Sequence, residues 1–367
     1  MAVERSRTGE KVPDQDMESL RADYAEEFRL GAPGFFEPRR DDCPWCGSEA
    51  VRPRIAVADL QQCKPGTFTM DECSGCGHVF QNPRLTPAGL DYYYRDFYDG
   101  LGLETWKSVF EFSRPAYRAR VRILGERARP ERWLDIGAGH GHFCRDAKAL
   151  LPDTEFWGLD RNAELPNARQ RGWVDEVLDV SVFEAAEKHS GEFDVVSLFH
   201  YLEHTTEPLE ELDAVRALVR RGGHVVIEVP NPESRFARLY GKYWYQWMAP
   251  QHLNLMPWRN VCRALEDRGF RIQAVELGRA NQPVDGLAAV MFGLNSHLPS
   301  ARSWPWLPRR VSGPQRVLRK AVLALCGPVM ILAGMLDMVL HTITRRGSGG
   351  NTYRVLAVRT ADEEGDS

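Results

Sequence analysis

From Trp133 onward, short apolar runs alternate with longer segments in which apolar residues recur every three or four positions. The runs suit strands, and the periodic segments suit helices packed against them. Seven runs stand out, at 133–136, 155–159, 176–178, 193–199, 224–229, 271–277 and 353–358. Helical segments at 142–151, 208–218 and 259–267 separate several of them, the last closed by Gly269. Alternation of this kind builds a largely parallel sheet covered by helices. Ahead of it, 16–30 reads as a polar helix ending at Gly31 and Pro33, and 108–127 as a helix leading into the first strand.

One insertion breaks the rhythm. Residues 281–346 contain the apolar run 321–336, interrupted by Gly327, Pro328 and Gly334. It falls short of the roughly 18 uninterrupted residues that mark a membrane span. If 353–358 completes the same sheet, a single crossing would also leave that strand on the wrong side of a bilayer. A re-entrant hairpin, a helix pair lying on the membrane surface, a buried helix, or a homodimer contact through 318–346 are the readings left open. Flanking Arg309, Arg310, Arg316, Arg319, Lys320, Arg345 and Arg346 suit anionic lipid heads.

A chain of 367 residues with 43% hydrophobic content can bury a full α/β core and carry a small second module. Its net charge of -4 offers no overall attraction to phosphate backbones, which disfavours nucleic acid as a partner. The opening forty residues are dense in Glu, Asp and Arg rather than leader-like, and point to the cytoplasm. Four of the eight cysteines form two Cys-x-x-Cys pairs, Cys43/Cys46 and Cys73/Cys76, each followed by a glycine that admits a tight turn. In a reducing compartment this set suits one tetrahedral structural zinc ion. A redox pair is the alternative, although such motifs come once and open a helix. Between the knuckles Arg52, Arg54 and Lys64 are opposed by Asp59, Asp71 and Glu72, so the module is expected to brace the main domain or cap its pocket.

The first strand ends in Trp133-Leu-Asp-Ile-Gly-Ala-Gly-His-Gly-His-Phe143. Gly137, Gly139 and Gly141 allow a tight turn and close backbone approach to a ligand. A dinucleotide fingerprint spaces its glycines as Gly-x-Gly-x-x-Gly, whereas here the third comes one residue early, which argues against NAD. Asp160 closes the second strand, where a carboxylate can accept from both hydroxyls of a ribose. Phe199-His-Tyr-Leu-Glu-His204 follows the fourth strand, and Pro250-Gln-His252-Leu precedes the helix before the sixth. The Asp-Ile-Gly-x-Gly-x-Gly form resembles motif I of class I S-adenosylmethionine-dependent methyltransferases. The later stretches resemble a bacterial subgroup with Leu-Glu-His and Pro-x-His-Leu at these places, and the likeness runs closely over about 132–270.

The resemblance implies an α/β, Rossmann-like seven-stranded methyltransferase sheet whose last strand is antiparallel. Here it would carry a small N-terminal zinc ribbon and a helical apolar insertion before that strand. The expected division is an N-terminal segment 1–40, a zinc ribbon 41–83, a linker and helical lid 84–128, a methyltransferase domain 129–280 with 347–362, and the insertion 281–346. S-adenosylmethionine would meet Asp135, Gly137, Gly139 and Gly141, with Asp160 on the ribose, Asp179 and Val180 at the adenine edge, and Phe199 beneath. Methyl transfer is an in-line displacement, and a hydroxyl acceptor must also lose a proton. His252 is the first choice for that base or for orienting the acceptor, with His200 and His204 behind it; packing is the plain alternative for each. Tyr243, Trp244, Tyr245 and Trp247 would wall the acceptor or belong to the core. His200-x-x-Glu203-His204 also fits a zinc-peptidase pattern, opposed by its strand context and by the want of a third ligand. A divalent ion on His200, Glu203 and His204 is a related option, with His200 standing where some quinone-modifying relatives have an acid. The expected acceptor is a small molecule, saccharide or lipid-linked compound methylated on oxygen or carbon. RNA methylation through the ribbon, and a non-catalytic protein that binds the cofactor for assembly, are the alternatives.

Overall fold

A computed structural model describes residues 14–95, 103–162, 164–300, 304–307, 311–345, 347 and 349–360. Arg309, Arg310 and Arg346, part of the linker and both chain ends lie outside the described residues. The N-terminal part holds α1 (Asp14–Gly31), β1 (Val51–Ala58), β2 (Thr67–Cys73), β3 (Val79–Gln81), α2 (Pro87–Tyr94) and α3 (Leu103–Arg122). Alternation begins with β4 (Arg132–Ile136), α4 (His142–Lys148), β5 (Glu155–Leu159), α5 (Leu165–Gln170), β6 (Glu176–Leu178), α6 (Val182–Lys188) and β7 (Phe193–Phe199). It continues with α7 (Pro208–Leu218), β8 (Val219–Pro230), α8 (Arg235–Tyr240), β9 (Asn254–Leu255), α9 (Trp258–Glu266) and β10 (Phe270–Glu276). Last come α10 (Asp285–His297), α11 (Gly313–Thr344) and β11 (Thr352–Arg359).

The main sheet has seven strands in the order β10-β11-β8-β7-β4-β5-β6. β4 through β8 run parallel, while β11 is antiparallel to both β8 and β10. All seven apolar runs are strands, with β8 and β11 longer than the pattern marks. Successive side chains of a strand point to opposite faces, and both faces here are covered. Leu134, Ile136, Val196, Leu198, Val225 and Ile227 accordingly join one core, and Trp133, Val195, Val226 and Leu356 the other. After β4 the chain moves outward through β5 and β6, then returns to β7 on the other flank of β4. Such a reversal opens a crevice at the carboxyl ends of β4 and β7, the usual ligand position in sheets of this type.

A second, antiparallel sheet has the order β1-β2-β3-β9. Three of its strands carry or adjoin the cysteine pairs, but β9 comes from the stretch just past His252, through Val79↔Leu255 and Phe80↔Asn254. The two parts of the chain also share a core, in which Phe68, Met70, Tyr92 and Tyr93 pack with Trp244, Trp247, Leu255 and Trp306. The cysteine-bearing sheet is therefore built onto the loop that carries His252. Among the described residues the insertion holds two helices, and α11 runs to 32 residues, twice the apolar run seen in the pattern. Gly327, Pro328 and Gly334 lie inside it without ending it.

Candidate active site

The turn after β4 needs its glycines for three separate reasons. All three are left-handed, with φ of 75° at Gly137, 54° at Gly139 and 73° at Gly141. A Cβ on Gly137 would lie 2.7 Å from the Tyr201 ring, and one on Gly141 would lie 2.7 Å from the Ala168 methyl. Around Gly139 nothing lies within 4 Å of such a position, so this glycine faces open space at the crevice. Asp160 stands beside it: Gly139 N–H donates to Oδ2 at 2.8 Å and Asn162 N–H donates to Oδ1 at 2.8 Å. Burial raises the Asp160 pKa, opposed by these two bonds. Each carboxylate oxygen keeps a second lone pair for a ligand hydroxyl.

Asp135 is buried in β4 and fixed from behind. Trp133 Nε1–H donates to Ser197 Oγ at 2.8 Å, and Ser197 Oγ–H donates to Asp135 Oδ1 at 2.5 Å. Its burial pushes its pKa up to about 7, against the pull of Ser197 and Arg120. Phe199, at the end of β7, packs edge-on to Phe143 at 4.6 Å and lies under the Arg120 guanidinium. Asp179 is exposed just past β6, with half-buried Val180 against the core.

His200, His204 and His252 come together around Glu203, as the sequence could not show. His200 has a φ of 54°, in the left-handed region. Its Nδ1 lies 3.0 Å from Glu203 Oε1 and its Nε2 lies 3.5 Å from Glu228 Oε1. Burial works against the charged ring, but the two carboxylates outweigh it and raise the pKa to about 9. These two carboxylates favour the charged imidazolium, a state that weighs against His200 as a base.

His252 is 2% exposed, and burial depresses its pKa to about 3. Its Nδ1 lies 2.8 Å from the Gln246 carbonyl oxygen, so that nitrogen carries the proton and donates. His204 is arranged alike, with Nδ1 at 2.9 Å from the Gln251 carbonyl oxygen, and burial lowers its pKa. Tyr94 O–H, from α2, donates to the same carbonyl and lies 3.0 Å from His204 Nδ1. A buried ring with so low a pKa binds a proton weakly, which weighs against His252 as the general base and favours an orienting or ligating part. Its Nε2 instead lies 3.9 Å from Glu203 Oε1.

Both neutral histidines thus keep Nε2 as a lone-pair donor beside a carboxylate, and Glu203 Oε2 is buried with no hydrogen-bond partner. Glu203, His204 and His252 place one ligand atom each within 4.8 Å of one another. Two imidazoles and a carboxylate suit a divalent ion. In this set His252 takes the place that the sequence reading gave to His200. Of the aromatic group, Trp244 and Trp247 are core, packed edge-to-face at 5.0 Å, while Tyr243 and Tyr245 reach α10 through Ser296 and Phe292.

Sequence reasoning missed the charges beneath this cluster. Glu228 in β8 accepts from Arg120 Nε at 2.9 Å and Nη2 at 2.6 Å, and from Arg354 Nε at 2.7 Å. Burial favours a protonated Glu228, but the two guanidiniums outweigh it and hold the pKa well below the ordinary range. The signal was one acid inside the apolar run His224-Val-Val-Ile-Glu-Val229.

Residues 109–275 match a family model described as a methyltransferase domain. The chain carries a class I S-adenosylmethionine-dependent methyltransferase domain. It is 27% identical over 168 residues to a ubiquinone biosynthesis O-methyltransferase of Acinetobacter baumannii, covering 42% of this chain and 70% of that protein. Over 149 residues it is 29% identical to a protein of the same description from Pectobacterium atrosepticum, covering 38% and 61%. Among solved structures, an S-adenosylmethionine-dependent methyltransferase from Archaeoglobus fulgidus aligns with a TM-score of 0.43 and 20% identity, over 68% of this chain and 94% of that one. The methyltransferase domain accounts for the glycine turn and for the crevice at the ends of β4 and β7. The matched segment ends before α10 and α11.

Proposed function

We propose that this chain transfers the methyl group of S-adenosylmethionine to an oxygen or carbon of a small-molecule, saccharide or lipid-linked acceptor. The single observation that carries the reading is the Gly139–Asp160 pair, an open glycine and an adjoining carboxylate at the topological switch point. Gly137 and Gly141 shape the turn, and Asp135 supports it from β4. Asp160 takes the ribose hydroxyls, Asp179 and Val180 the adenine edge, and Phe199 the underside of the cofactor. On the acceptor side, His200 presents a fixed positive charge that suits an anionic or enolising oxygen. Glu203, His204 and His252 would hold a divalent ion there, and such an ion would lower the pKa of an acceptor hydroxyl. A structural zinc on Cys43, Cys46, Cys73 and Cys76 supports the loop bearing His252. The setting proposed is the cytoplasm.

RNA methylation is the second reading, since zinc ribbons often bind nucleic acid. Against it, Arg52 and Arg54 on the ribbon sheet are both engaged with Glu72. Incubating the protein with methyl-labelled S-adenosylmethionine and separate small-molecule, lipid and RNA fractions tests the choice. Label is expected in a small-molecule or lipid fraction. Label confined to RNA, with retention that falls steeply as salt rises, would reverse it.

A further inference from the structure

The methyl-transfer reading leaves the helix pair α10 and α11 unused. α11 lies antiparallel along α10 and is pinned there by two charged side chains. Asp337 accepts from the N–H groups of Gly286 at 2.8 Å and Leu287 at 2.9 Å, at the start of α10. Arg319 donates to the Pro299 carbonyl oxygen at 3.0 Å and to Asn295 Oδ1 at 2.5 Å, at its end. An anion at a helix N-terminus and a cation at its C-terminus both complement the helix dipole. Arg319 and Asp337 are about five turns apart, so they share one face of α11, and that face is committed to α10.

The opposite face is apolar and open. Leu325, Val329, Leu332, Met335, Leu336 and Val339 are 50 to 81% exposed. Between 321 and 344 the one formally charged residue is Asp337, and it is buried. The exposed cations Arg316, Lys320 and Arg345 sit at the two ends. At about 100° per residue they fall within about 40° of one another, along one border of the apolar face.

Both ends of α11 are tied to the body of the protein. Ahead of it, Trp306 Nε1–H donates to the Gln62 carbonyl oxygen at 2.6 Å and packs edge-on to Tyr24. At the far end the Thr344 carbonyl oxygen abuts Gly278, where a Cβ would lie only 2.0 Å from it. A helix of about 48 Å held at both ends lies along the surface and does not cross a bilayer. A second copy is a poor fit to the apolar face. Whether two α11 helices pair parallel or antiparallel, their basic ends meet, and α11 has no exposed acid to offset them.

We propose that α11 is a docking face for an anionic bilayer. Its apolar side enters the acyl boundary, and Arg316, Lys320 and Arg345 contact the phosphates. The proposal goes beyond the methyl-transfer reading and does not depend on it, because vesicle binding and cofactor binding are measured separately.

Flotation of the full chain with phosphatidylglycerol/phosphatidylcholine vesicles, against phosphatidylcholine alone, is the test. Wild type is expected to float with the anionic vesicles and at least tenfold less with neutral ones. Leu325→Asp with Leu332→Asp, both at exposed positions, is expected to reduce flotation at least tenfold while circular dichroism and S-adenosylmethionine affinity stay unchanged. Failure of wild type to float, or undiminished flotation of this variant, overturns the proposal. So does a wild-type dimer in sedimentation equilibrium that ignores vesicles and becomes monomeric in the same variant, which would give the face to a second copy. Should the aspartates prevent folding, Arg316→Glu with Lys320→Glu decides instead, and retained flotation of that variant overturns the proposal.

Discussion

Replacing Cys43 and Cys46 by serine is expected to remove one zinc ion per chain and to lower the melting temperature more than any other pair of substitutions in the protein. Sγ of Cys43 lies 3.7 Å from that of Cys76, and Sγ of Cys46 lies 3.7 Å from that of Cys73. Disulfides would bring the sulfurs to about 2.05 Å. A tetrahedron with metal–sulfur bonds of about 2.3 Å has edges of about 3.8 Å, so the spacing fits the four-thiolate zinc proposed here. Structural zinc contributes about 10–16 kcal/mol in small zinc modules, as much as the whole stability of an ordinary domain. Here the loss would spread, because β3 pairs with β9 and Met70 and Phe68 share a core with Trp244 and Trp247. Metal content by mass spectrometry and a thermal melt check this. Unchanged zinc, or an unchanged melt after its loss, would contradict it.

Glu228→Ala carries the next largest effect, a loss of about 3–5 kcal/mol in denaturant unfolding. Arg120 and Arg354 both converge on this carboxylate from α3 and β11, and all three side chains are buried. Removing the acid leaves two charges facing each other out of water. The Arg354 guanidinium retains Glu276 at 2.8 Å, whereas Arg120 has no second carboxylate among the described residues. Glu228→Gln keeps the shape and an acceptor oxygen, and is expected to cost less than the alanine. Equal and small losses for both would show that the network carries no stability.

The main sheet was legible because its strands bury both faces, which leaves predominantly apolar runs such as Phe193-Asp-Val-Val-Ser-Leu-Phe199 between helical segments. The glycine turn was legible because left-handed backbone and close packing leave glycine little competition at Gly137 and Gly141. The four-cysteine cluster was legible from spacing alone. What stayed hidden depends on contacts between distant segments. His252 lies 48 positions past His204, and nothing local says that Gln246 and Gln251 fix both rings so that each turns Nε2 inward. Nor does a two-residue strand such as β9 leave a pattern, since it exists only by pairing with β3. His200 illustrates the limit for chemistry: one histidine can be a base or a fixed cation, and its partner Glu228 comes from a different strand.

Calorimetric titration with S-adenosylmethionine tests the central claim most directly, with Asp160→Ala run beside wild type. Wild type is expected to bind one equivalent, with NAD giving no heat. The alanine variant is expected to bind at least about a hundredfold more weakly, since both ribose hydroxyls lose a charged acceptor worth about 1.5–3 kcal/mol each. No binding to folded wild type, equal affinity in the variant, or a preference for NAD would contradict the account.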